Sequence, residues 1–219
     1  MDFFADLDAV RRRWNVLEHP FYTRWSAGEL TLDELALYAG QYRHAVTALA
    51  QASANTAAVA GEPGLQRALR GHAAEEASHV ELWDRFTTAV GGDATAAPEP
   101  ETAACAAAWA GDGERPLLDS LVAMYAIESA QPAIAETKRE GLVAHYGFEP
   151  DSDATVYFDL HATLDIEHAA QERALIEPRL AGADEQALLA EAETMLRANW
   201  ELLDGVERAL GRTPEPAAS

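Results

Sequence analysis

The stretch YFDLHATLDIEHAAQ, residues 157–171, sets His161, Asp165 and His168 at successive offsets of four and three. On an α-helix, residues i, i+4 and i+7 share one face, so these side chains point the same way. Leu160, Leu164 and Ala169 lie on or near that stripe, which turns it toward a core. Buried imidazole and carboxylate groups are costly unless paired or bound to metal. Two histidines and one carboxylate are also usual ligands of borderline divalent metals. A half-exposed polar face would carry the same residues.

The helical reading extends outward in both directions. Apolar residues recur at three and four, Ala, Leu, Glu and Arg dominate, and period-two runs bounded by turns are missing. This pattern predicts an all-α chain. Helices are expected over about 4–17, 32–58, 65–90, 102–109, 117–145, 154–177 and 185–210. Thr31 caps the second of these, with Glu34 three residues on as the other half of a capping box. Pro20 reads as a breaker and Gly28 as a stop. No composition break marks a domain boundary, so residues 1–210 are expected to form one helical bundle of six or seven helices. Residues 211–219, GRTPEPAAS, read as a frayed, disordered tail.

Composition narrows the function. Across 219 residues the formal net charge is -21, a surface that repels nucleic acid and anionic membrane. No run approaches the roughly 20 apolar residues of a membrane span. Cys105 is the only cysteine, so no disulfide forms within the chain, which suits a reducing cytoplasm. Lys138 is the single lysine among 16 basic residues.

Two further segments carry metal-type side chains. GHAAEEASHVELW holds His72, Glu75, Glu76 and His79. Glu76 and His79 make an E-x-x-H pair, the spacing of dimetal carboxylate sites in helical bundles, and Glu75 would also reach. Glu128 is the only charge in residues 121–133, and a lone acid among apolar neighbours wants a cation. Together these segments offer three histidines and three carboxylates from three helices, a set suited to two metals about 4 Å apart. His44 lies on another long helix and is a candidate partner of the ligands.

The order HPFYTRWSAGELTLDELALYAGQYRHAV, EEASHVELWDRF, YAIESAQPAIAETKREGLVAHYGF, YFDLHATLDIEHA resembles the haem-oxygenase-like diiron oxidases, which share their fold with TenA and PqqC. The resemblance covers about residues 17–170. It implies metal ligands at Glu76 (or Glu75), His79, Glu128, His161, Asp165 and His168. The Glu-to-His spacing on the third helix is shorter than in that group. Within the superfamily the chain is most similar to the CADD-like p-aminobenzoate synthases. That likeness implies a cytoplasmic enzyme serving folate synthesis, with two metal ions (Fe/Fe or Mn/Fe), molecular oxygen and an external electron donor. It further implies a self-sacrificing reaction in which Tyr22 supplies the ring and Lys138 the amino nitrogen. Tyr42, Tyr125 and Tyr157 are candidates for radical relay. Metal identity and oligomeric state stay open, a homodimer being one option.

Other classes compete. A multiple-turnover diiron oxygenase acting on an amino acid or fatty acid would not need Lys138. A metal-free, TenA-like thiamin-salvage hydrolase would need a cysteine nucleophile, and Cys105 sits in an alanine-rich segment away from Glu128. A non-catalytic interaction module would not need the metal-type residues.

Overall fold

The computed structural model describes residues 2–214. Among these residues there are nine α-helices and two 3-10 turns, and no strand. The helices are α1 (Phe3–Arg13), α2 (Pro20–Ala27), α3 (Leu32–Val59), α4 (Pro63–Ala89), α5 (Pro100–Ala110), α6 (Leu117–Glu128), α7 (Gln131–His145), α8 (Val156–Ile176) and α9 (Glu185–Ala209). The long pair α3 and α4 packs side by side, α5 and α9 cover α3, and α6 lies between α8 and α9. Among the described residues, no helix is long and apolar enough to cross a membrane.

Local chemistry explains most boundaries. Thr31 and Glu34 form the expected capping box at the start of α3. Gly28 ends α2 in the left-handed region at φ 71°, where an added Cβ would meet His145 at 2.7 Å. Pro20 does not break a helix but starts one. It occupies the first turn of α2, where no N–H is needed, and the ring of His19 caps the Phe21 N–H. The first helix is shorter than expected. It stops at Arg13, and Val16–Glu18 form a separate 3-10 turn.

The run 117–145 is two helices, not one. Pro132 cannot donate to the carbonyl of Glu128, and its ring crowds that carbonyl, so the helix breaks between Glu128 and Gln131. Arg11 donates to the Ser129 carbonyl at 3.1 Å. The break therefore places Glu128 at the last residue of α6.

Of the expected tail 211–219, residues 215–219 lie outside the described residues. Its first part is tied down, because Arg212 pairs with Glu34 at 2.7 Å and Glu207 at 3.7 Å.

Candidate metal centre

Three helices bring their polar stripes together. Helix α4 contributes His72, Glu76 and His79; α6 contributes Glu128; α8 contributes His161, Asp165, His168 and Glu172. All but the partly exposed His72 are at most 4% exposed. On α4, His79 Nδ1 lies 3.0 Å from Glu76 Oε1. On α8, His161 Nδ1 lies 3.0 Å from Asp165 Oδ2. His72 Nε2 is 3.4 Å and His168 Nδ1 3.5 Å from Glu128 Oε2. The rings of His79 and His161 are 4.6 Å apart, and those of His72 and His168 are 4.1 Å apart.

The six residues implied by the resemblance thus meet in one place. Glu75 and Glu76 part company: Glu76 is buried in the cluster, whereas the Glu75 side chain is 59% exposed and touches only the outer edge, 3.3 Å from His168 Nε2. His72 and Glu172 lie outside the six. Their signal was in the sequence. His72, Glu76 and His79 repeat the four-then-three spacing of His161, Asp165 and His168, and Glu172 extends the α8 stripe by one more turn.

His44 does not join the cluster. Its Nε2 hydrogen-bonds the Ala96 carbonyl in the α4–α5 loop at 2.9 Å, so it ties that loop to α3. Tyr125 packs edge-on against Phe4.

The donor set fits a metal pair. Both Glu128 oxygens, both Glu172 oxygens, Glu76 Oε1, His72 Nε2, His79 Nδ1, His161 Nε2 and His168 Nδ1 are buried without a hydrogen-bond partner. Such orphans are rare in folded proteins unless something else satisfies them. Electrostatics agrees. Burial works against a charged imidazolium at His168, yet the nearby Glu128, Glu76 and Asp165 push its pKa up to about 9. Burial and the neighbouring carboxylates raise Glu172 well above the usual carboxylate range. The cluster gathers protons because four carboxylates need positive charge, and divalent cations would supply it.

A second assembly sits on α2, α3 and α7, next to the first. Lys138 is 3% exposed, and its Nζ donates to the Tyr38 hydroxyl at 2.8 Å. The Tyr38 and Tyr22 hydroxyls share a hydrogen bond of 2.7 Å. Nζ also lies 4.8 Å from the Tyr22 ring centre and 4.6 Å from that of Tyr42. Burial drives the Lys138 pKa well below the usual lysine value and those of Tyr22 and Tyr38 well above the usual tyrosine value. Aromatic rings link the two assemblies: Tyr42 packs on Trp83, Trp83 on Tyr157, and Tyr157 on His161 at 4.2 Å. Trp25 Nε1 donates to the Lys138 carbonyl at 3.0 Å and fastens α7 to α2. Cys105 is buried, and burial raises its thiol pKa, the opposite of what a cysteine nucleophile needs.

Residues 36–200 match a protein family described as iron-containing redox enzyme. A 4-aminobenzoate synthase of Chlamydia muridarum is 33% identical over 81% of this chain and 78% of its own. A 4-aminobenzoate synthase of Nitrosomonas europaea is 32% identical over 93% of this chain and 90% of its own. A crystal structure from Shewanella denitrificans, of a domain of unknown function with a heme oxygenase-like fold, superposes with a TM-score of 0.79 at 19% identity. It covers 96% of this chain and 94% of its own.

Proposed function

We propose, for a chain that belongs to the haem-oxygenase-like family of iron-containing redox enzymes, that it makes 4-aminobenzoate from its own Tyr22, with Lys138 as the amino donor. The activity follows the name of relatives about a third identical over most of the chain. The self-supplying chemistry rests on one observation: the only lysine in the sequence is buried against the Tyr22 ring, with a tyrosine hydroxyl as its hydrogen-bond partner.

The physical chemistry of that setting favours a neutral amine. Five ring centres lie within 4.6–5.9 Å of Nζ and would favour the ammonium by about 2 kcal/mol. Burying an ion costs several kcal/mol, so desolvation wins. The neutral amine keeps a free lone pair, which a guanidinium in its place would lack. Tyr38 accepts a hydrogen bond from Nζ and shares one with Tyr22, so it holds both reacting groups and offers a path for a proton between their heteroatoms. Phe21, Trp25 and Phe158 wall this pocket and exclude water.

Glu76, His79, Glu128, His161, Asp165 and His168 would hold two metal ions, Fe/Fe or Mn/Fe, and the bound pair supplies oxidising power drawn from molecular oxygen and an external reductant. In the atom balance, the ring and Cβ of Tyr22 carry every carbon of the product. The Cα–Cβ bond of Tyr22 breaks, Cα takes up hydrogen to leave a glycyl residue, and Cβ is oxidised to the carboxylate at the expense of oxygen. The Cε–Nζ bond of Lys138 also breaks, Cε being oxidised by oxygen to an aldehyde, and the phenol oxygen leaves as water when the nitrogen takes its place on the ring.

The test uses metal-loaded protein made with heavy-nitrogen lysine and given oxygen and reductant but no other substrate. The expected result is release of labelled 4-aminobenzoate, at most one equivalent per chain, by mass spectrometry. Product without the label overturns Lys138 as donor.

A further inference from the structure

The centre holds more donors than six, and they divide unevenly. His79 and His161 face each other at one end. His72 and His168 face each other at the other, beside Glu128 and Glu172. Two carboxylates span the ends. Asp165 puts Oδ2 at 3.0 Å from His161 Nδ1 and Oδ1 at 3.7 Å from His168 Nδ1. Glu76 Oε1 lies 3.0 Å from His79 Nδ1, 3.8 Å from His72 Nε2 and 3.9 Å from His168 Nδ1.

Glu172 is the unexpected member. It is 2% exposed and both its oxygens lack partners. One oxygen lies within 4.8 Å of donor atoms on His72 and Glu128, close enough for the three to share an ion. A purely structural carboxylate at this depth would be paired with an arginine or a backbone N–H. His72 likewise aims an orphaned Nε2 at the same point.

We propose that His72 and Glu172 are direct metal ligands, so that the centre consists of two unequal lobes. One lobe holds an ion with His79 and His161. The other holds an ion with His72, His168, Glu128 and Glu172. Asp165 and Glu76 bridge them. The lobe with the extra carboxylate is richer in hard oxygen donors and suits the harder of two unlike ions. The inference rests on the dimetal reading above.

The test loads the full chain with ferrous iron without oxygen, removes excess, and counts iron per chain. A parallel Co(II) titration follows the visible absorption of the bound ion. The wild type is expected to hold two ions in two binding steps. Glu172→Gln, nearly isosteric, and His72→Ala are each expected to hold one ion in one step, with helical content unchanged by circular dichroism. If His72→Ala fails to fold, Glu172→Gln decides alone. Retention of two ions with wild-type affinity, or loss of both together, overturns the assignment. A wild type that binds fewer than two ions overturns the dimetal reading itself, and the inference with it.

Discussion

Two neighbouring regions of the core solve opposite problems. The cradle on α4, α6 and α8 gathers four carboxylates and four histidines, most with unpartnered atoms. The pocket on α2, α3 and α7 encloses one amine among aromatic rings and pairs it with a single hydroxyl. Both bury ionisable groups almost completely. The cradle accumulates negative charge that waits for cations. The pocket strips charge away and favours a neutral amine. Burial alone does not say what a titratable side chain is for; its neighbours do.

The largest expected effect separates the two regions outright. Lys138→Arg should abolish 4-aminobenzoate release while iron uptake per chain stays at the wild-type value. Continued product formation would place the chain among multiple-turnover oxygenases instead. Next is metal removal. Stripping the ions should lower stability by about 4 kcal/mol for each ion removed, relative to protein with free metal at a thousandfold excess over its dissociation constant, measured as a fall in Tm. Lys138→Met should leave that metal-dependent difference intact.

Gly141→Ala strikes the pocket from behind. Its Cβ would come within 2.6 Å of Trp25 and displace the indole that binds the Lys138 carbonyl. A loss of about 2 kcal/mol in urea denaturation is expected, with ion uptake unaffected. Smaller still is a pH effect. The unfolded chain protonates Lys138 up to its ordinary pKa, whereas the folded chain holds it neutral well below that. The unfolded state therefore binds the extra proton in that window, and stability rises with pH toward the ordinary lysine value. The slope contributed is at most about 1.4 kcal/mol per pH unit, and Lys138→Met should remove it. Smallest is Thr31→Ala, which loses the α3 capping box at a cost of about 1 kcal/mol. It should shift the unfolding midpoint without altering metal content, because the cradle's side chains come from α4, α6 and α8.

Helices declared themselves in the sequence wherever period and punctuation agreed. The capping box at Thr31 and the α8 stripe are examples, since both are local patterns. Prolines misled in both directions. Pro20 opens a helix and Pro132 divides one, and the same residue type does either depending on whether an N–H is needed at its position. The cradle was legible in outline because its spacing is helical. His72 and Glu172 extend the same spacing but carry no distinct motif, and only packing shows that α4 and α8 present them to one point. The pocket was harder. Tyr38 is one of six tyrosines, and its contact with Lys138 spans 100 residues of sequence, beyond any periodicity. For His44, helical depth alone does not reveal which loop covers the side chain, and the Ala96 carbonyl that it bonds lies 52 residues away.

The joint at Ser129 and Ala130 sets the phase between Glu128 on one side and Lys138 on the other. Each residue added to a helix rotates everything beyond it by about 100°. A single insertion past the joint would swing the amine off the aromatic rings while the carboxylate, anchored upstream, stayed put. The cradle and the amine pocket are therefore geared together at one short stretch of backbone. An insertion or deletion there would part the two regions without replacing a side chain in either.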